Sequence, residues 1–260
     1  GVAITADPNT EIIINGGKIS GRIDADSTVT IVDNRETGAS ITESSWEEVA
    51  EIIKAGKAKE YYSLGDIKTV NINGVDYEAK IIGFDHDGKN TVTFMFNEKI
   101  ERNKMNDNST NSGSWESSKM RTTILPEIYN NMENKNYLKE VSKKTIKGYA
   151  DGNTNNTTNN IITTNDKLFL LSYSELYGSS SSQGNQYEYF KNGGFIGELE
   201  EITDEGYIMG YYSNVDYWLR SPATDDVKSF YREYREDCTS EDPTGTANTS
   251  LDVIPAFVIG

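Results

Sequence analysis

The sequence predicts an α+β domain built mainly of antiparallel sheet. The 22 glycines and abundant Asn, Ser and Thr imply many turns and little continuous helix. Most apolar runs have strand length and either alternate or are apolar throughout. Only two or three stretches carry helical periodicity, and no internal repeat is evident. A chain of 260 residues can bury a substantial core.

The elements follow in chain order. In residues 1–44, "TEIIINGGKISGRIDADSTVTIVDNRETG" alternates apolar and polar residues around Asn15-Gly16-Gly17, a hairpin signal, and predicts a short N-terminal β segment or stalk. Residues 45–260 form the main domain. Ser45 and Glu48 make a capping box for a helix whose stripe is Trp46, Val49, Ile52 and Ile53, stopped at Gly56. "IKTVNI" and "VDYEAKIIGF" flank Asn73-Gly74, a strong hairpin signal, and "TVTFMFN" follows across "DHDGKN". A helix is expected from about Trp115, with a second begun by Pro126. "LKEVSKKTIKGYA" reads as an extended ribbon, "DGNTNNTTNN" as a loop, "KLFLLS" as a buried strand and "YSELYG" as a helix start. "YIMGYY", "DYWLRSP" and "VIPAFVIG" complete the sheet.

Composition excludes several function classes. The formal net charge of −16 repels phosphate backbones and anionic lipid, so neither nucleic acid nor a membrane surface is an expected partner. No apolar run reaches the roughly 18 residues of a membrane span. One cysteine, Cys238, permits no intrachain disulfide. The chain opens "GVAITADPNT" without Met or a signal-like run, as a fragment whose anchoring part lies elsewhere would.

Catalytic and metal chemistry find little support. With one histidine, His86, triads must be built around it. Asp85, Asp87 and Asn90 could offer calcium oxygens, but the Gly and Glu spacing of an EF-hand is missing, and a tight loop is the better reading. Carboxylate pairs such as Glu47-Glu48 and Glu200-Glu201 are too common here to mark a glycosidase. No phosphate-binding glycine loop is present. No cofactor and no metal are implied.

The segment between "DYWLRSP" and "VIPAFVIG" is the most polar of the chain, although it lies between two of the most core-like strands. An antiparallel pair of those strands would pin the insert and reduce the entropy lost on binding. The insert supplies tyrosines, forked arginines and acidic acceptors, the side chains of a recognition surface. If residues 230–235 form a strand, Tyr231, Glu233 and Arg235 share a face, taken here as outward because Phe230 belongs in the core. The candidate ligand-binding residues are Thr224, Asp225, Asp226, Ser229, Tyr231, Glu233, Arg235, Asp237, Thr239, Glu241, Asp242 and Asn248. Arg220, set among core residues, is expected to be a buried hub for loop carbonyls or a carboxylate. On the residues alone, a solvated hairpin without a ligand stays open beside a binding surface.

The segments "WEEVAEIIKAGKA", "GSWESSKMRTTILPEIYNNM", "TTNDKLFLLSYSELYG" and "DYWLRSP…VIPAFVIG" resemble a domain family of gut-bacterial surface and phage-like proteins grouped with C-type-lectin-like folds. The resemblance covers residues 45–260, and "WESSKMR" and "YWLRSP" are its most specific parts. It is similar to the variable proteins of diversity-generating retroelements, although Asp252 and Ile254 stand where Gly and Arg are usual. The resemblance implies a C-type-lectin-like fold with two or three helices and a non-enzymatic ligand-binding protein of adhesion or receptor type. Its partner would be a protein or glycan on another surface, outside the cell or on a phage particle, with homo-oligomerisation left open. The alternatives are a structural surface or pilus subunit, or an enzyme of the formylglycine-generating fold group. An enzyme predicts a deep pocket with convergent carboxylates of perturbed pKa; a display protein predicts a broad exposed face.

Overall fold

The computed structural model describes residues 11–14, 30–33, 40–153, 160–178, 181–197, 199–204, 207–213, 216–233 and 244–260. The chain folds as a mixed helix and sheet structure with curled antiparallel sheet, an α+β architecture.

Near the N-terminus, β1 (Glu11–Ile14) pairs with β2 (Thr30–Asp33) in parallel. The expected Asn15-Gly16-Gly17 turn lies outside the described residues. A two-residue turn cannot join parallel strands, which need a crossover connection, so this pair is not the simple hairpin expected. Ile41 is already part of the main core, and its carbonyl accepts a bond from buried Lys68 at 3.0 Å.

Helix α1 (Trp46–Lys54) starts at the capping box: Ser45 Oγ accepts from Glu48 N, and Glu48 Oε2 accepts from Ser45 N at 2.7 Å. Val49 and Ile53 are buried, and Trp46 packs edge-on against Phe94 with centroids 5.4 Å apart. Gly56 ends the helix at φ +75°, where a Cβ would be strained. A short helix α2 (Ala58–Tyr61) leads to β3 (Ile67–Ile72), β4 (Val75–Phe84), β5 (Val92–Phe96) and β6 (Glu101–Lys104). The β3–β4 hairpin turns at Asn73 (φ 52°) and Gly74 (φ 85°), two successive positive φ values that match the right-handed strand twist.

The helical stretch after Trp115 differs from expectation. A π-turn over Met120–Ile124 runs directly into α3 (Leu125–Asn131), with Pro126 in its first turn. Proline cannot donate to the preceding turn, and the wider π-turn accommodates that break within one helical run. Trp115 precedes it, fully buried, its Nε1 donating to Asp166 at 3.3 Å. Then follow β7 (Leu138–Lys139), β8 (Val141–Ile146), β9 (Ile161–Asp166), β10 (Leu168–Phe169), α4 (Tyr173–Tyr177) and α5 (Glu188–Lys191). The remaining strands are β11 (Leu199–Asp204), β12 (Tyr207–Ser213), β13 (Tyr217–Pro222), β14 (Ser229–Glu233), β15 (Thr244–Thr246), β16 (Ser250–Val253) and β17 (Ala256–Ile259).

Two larger sheets carry the fold. One has the order β10-β17-β5-β4-β3, with β7 also on β17; the other is β15-β14-β13-β16-β6. β8–β9 and β11–β12 form separate antiparallel pairs. The last apolar run is therefore divided. β16 lies beside β13, touching it in parallel through Tyr217 and Asp252, whereas β17 is antiparallel to β5 in the other sheet. Pro255 sits at the crossing. It has no N–H for either ladder, and its carbonyl accepts from Phe96 N at 3.1 Å. The expected direct antiparallel pairing of "YWLRS" with "VIPAFVI" is thus replaced by a bridge between sheets. β13 pairs antiparallel with β14 instead. Among the described residues no helix is long and apolar enough to cross a membrane.

Candidate functional site

Strand β13 is buried from end to end and holds the base of the site. After Pro222 the chain loops and returns as β14. Buried Asn111 pins this loop: its Nδ2 donates to the carbonyls of Ala223 (3.0 Å), Asp226 (2.8 Å) and Ser229 (3.0 Å). Its Oδ1 accepts from Ala150 N at 3.1 Å. The two N–H groups of one amide are thus shared among three loop carbonyls, one of them bifurcated, and tie the loop to the interior from a single point. An asparagine in a turn-rich stretch has no local sequence pattern that announces such a long-range role.

The candidate residues separate by burial. Asp225 and Asn248 are exposed, and Tyr231 and Asp226 are half-buried. Asp226 turns inward on its own loop, accepting from Ser229 Oγ and from Lys228 N. Thr224, Ser229 and Glu233 are buried, Glu233 with 6% of its surface exposed. The outward assignment of Glu233 is therefore corrected. The register between Trp218↔Arg232 and Pro222↔Phe230 spans four residues on β13 and two on β14, an irregularity that breaks simple alternation. Phe230 is fully buried as expected, and Arg232 pairs with Asp216 at 3.0 Å. Arg235, Asp237, Thr239, Glu241 and Asp242 lie outside the described residues, as does Cys238.

Tyr231 joins two aromatic rings from outside the insert. Its ring lies 4.7 Å from that of Tyr173, which lies 4.6 Å from that of Tyr177. Tyr177 is exposed and the other two are half-buried. Tyr173 and Tyr177 are four apart on α4 and so share a face, a spacing legible in "YSELY". Burial, then the negative charge of Asp225, pushes the Tyr231 hydroxyl above its ordinary pKa. Tyr231 thus stays a neutral phenol that can donate and accept. Rings and carboxylate together form a continuous tyrosine face with an acidic edge.

The underside of α4 is bound into an ionic network. Ser172 and Glu175 form a capping box, and the same Glu175 carboxylate meets Arg220 Nη1 at 2.5 Å and Lys143 Nζ at 3.2 Å. Arg220 has no exposed surface; it also donates to the carbonyls of Leu170, Lys144 and Gln183. It is the hub its sequence position suggested. Lys143 continues the network to Asp87 at 2.5 Å and to the Tyr187 hydroxyl at 2.7 Å. Asp87 also accepts from Thr93 Oγ1 and Tyr187, while Asp85 accepts from Asn90 N and pairs with Lys59. The "DHDG" carboxylates thus diverge into separate structural contacts. Among the described residues no group of three or more His, Cys, Asp and Glu could hold a metal ion.

Burial pushes the Glu175 and Asp87 carboxyls up, but Arg220 and Lys143 reverse this for Glu175, and Lys143 with its hydrogen bond does so for Asp87. Both end below their ordinary values of 4.5 and 3.8. Their stabilisation is fully present above the unfolded carboxylate range and is lost as pH falls through the depressed folded values. Burial also pulls the His86 imidazole below its ordinary 6.5, so its protonation opposes folding in the same direction. Urea midpoints measured at pH 7, 5 and 3 are expected to fall, most steeply below pH 4.5, the ordinary value of Glu175. A flat profile to pH 3 would show that the network is not ionised.

No curated protein and no solved structure shows a significant match to the chain. A family model covers β13, α4 and Arg220, spanning residues 90–260, more than half of the sequence, and so the chain belongs to the family described as a domain of unknown function, DUF6273.

Proposed function

We propose that this chain is a non-enzymatic ligand-binding domain of adhesion or receptor type, with a C-type-lectin-like scaffold that displays the tyrosine face. The observation that carries the proposal is the ring cluster Tyr173–Tyr177–Tyr231 beside Asp225, set on a loop and helix that are held from below. Tyrosine gives large, stiff contact area with a polar tip. Phenol hydroxyls and a carboxylate suit a partner rich in hydroxyl donors, which favours a glycan on another surface over an apolar protein patch. Such a partner places the domain outside the cell or on a particle. The sheet arrangement and the resemblance of residues 45–260 support the scaffold assignment.

An enzyme of the formylglycine-generating group would need a poised acid or base. Glu175 and Asp87 converge near a cleft, but each is held ionised by a buried cation and already accepts several bonds. Neither is tuned toward neutral pH, where a general acid or base works best.

The test is a glycan array probed with the whole chain and with Tyr173→Ser/Tyr177→Ser/Tyr231→Ser. Saturable binding to defined glycans that the triple variant loses, with its circular dichroism unchanged, is expected. Binding that the triple variant retains in full, or binding to immobilised proteins but to no glycan, would overturn the glycan assignment.

A further inference from the structure

We propose that a cleft on the far side of the ionic network, apart from the tyrosine face, binds a small uncharged solute rich in hydroxyl groups, of monosaccharide or polyol size. The cleft has a volume of about 300 Å³ and is walled by His86, Asp87, Lys143, Glu175 and Gln183, with Asn185 on its rim. That volume lies at the small end of ligand cavities.

The charges in the wall, with Arg220 behind them, argue against an ion as the natural occupant. Two cations, Lys143 and Arg220, face two anions, Asp87 and Glu175, and all are engaged with one another. A charged ligand would give up hydration without meeting an unpaired opposite charge. Lys144, also at the cleft, is exposed and solvated.

The groups left open are neutral and of mixed polarity. Among the described residues neither ring nitrogen of His86 has a hydrogen-bond partner. Gln183 Oε1 is taken by Ser221 Oγ at 2.8 Å, while its Nε2 has no partner among the described residues. A neutral imidazole offers one donor and one acceptor, and the amide adds a donor; a hydroxyl complements each.

The site is also preorganised. The His86 ring stacks on Tyr187 at 3.8 Å and 22°. Tyr187 is fully buried, with its hydroxyl held by Asp87 at 2.8 Å and Lys143 at 2.7 Å. The stack covers one face of the imidazole while the residue lines the cleft, so little side-chain freedom is lost when a ligand arrives.

His86 is the chain's single histidine, so its imidazole C–H signals in a carbon–proton NMR spectrum need no assignment. The experiment titrates the whole chain with glucose, mannose and glycerol, and in parallel with acetate and phosphate, at constant pH and ionic strength. A saturable shift of the His86 signals with at least one neutral solute is expected, with Kd on the order of 1–10 mM, as suits a ligand of so few atoms. Asn185→Trp, which blocks the rim without touching the ionic network, should abolish the shift at unchanged melting temperature. Tyr231→Ser should leave it intact, separating this site from the tyrosine face. No saturable shift with any neutral solute, a shift with acetate or phosphate alone, or an undiminished shift in Asn185→Trp would overturn the proposal.

Discussion

Arg220→Met is expected to destabilise the folded chain by about 3–5 kcal/mol, the cost of removing one partner from a buried pair. For a domain of this size that corresponds to a melting temperature lower by roughly 6–20 °C. The guanidinium has no exposed surface, and its removal leaves Glu175 charged, buried and short of its closest partner. It also strips donors from the carbonyls of Leu170, Lys144 and Gln183, which come from three separate segments. Each orphaned buried acceptor adds a desolvation cost of its own. The exposed pair Lys59–Asp85 is the control: it is as well formed at 2.7 Å, with side chains 61% and 45% exposed. Its loss should cost under about 1 kcal/mol, because water replaces the partner. Calorimetry on both variants decides the matter. An Arg220→Met loss no larger than that of Lys59→Met would mean that the network does not carry the scaffold.

Tyr231→Ala is expected to weaken ligand binding at least tenfold, equivalent to about 1.4 kcal/mol or more. Tyr173→Ala should do the same, because its ring lies between the other two and touches both. Tyr177, more exposed and at the end of the row, should matter less, consistent with rim residues contributing weakly. The two large effects should not add, since removing Tyr173 also removes the support for Tyr231. Surface plasmon resonance on the glycan selected by the array measures all four proteins. Equal, small losses at the three positions would point to a contact elsewhere.

Local signals carried most of the element positions. The Ser45–Glu48 and Ser172–Glu175 boxes, the Asn73-Gly74 turn and the short apolar strands each depend on residues a few positions apart. Apart from the π-turn before Pro126, the failures involve distance. The β1–β2 pair is parallel, and "VIPAFVI" is shared between two sheets; neither partner choice is visible within the segments themselves. The irregular register between β13 and β14 turned Glu233 inward, and alternation along one strand cannot report an irregularity set by its neighbour.

The candidate site divides in the same way. Arg220 could be read as a buried hub, because a charge in an apolar run must find partners, but the identity of Glu175 and the carbonyls could not. Tyr173 and Tyr177 were readable as one helix face, yet their junction with Tyr231 brings together residues more than fifty positions apart. The α+β class, the caps and turns, and the need to neutralise Arg220 were legible locally, because these follow from backbone geometry and desolvation acting over a few residues. Which strands meet, which way Glu233 faces and the junction of the three tyrosine rings were settled by long-range packing. Those outcomes depend on how whole sheets pack, and packing selects among arrangements that look alike one segment at a time.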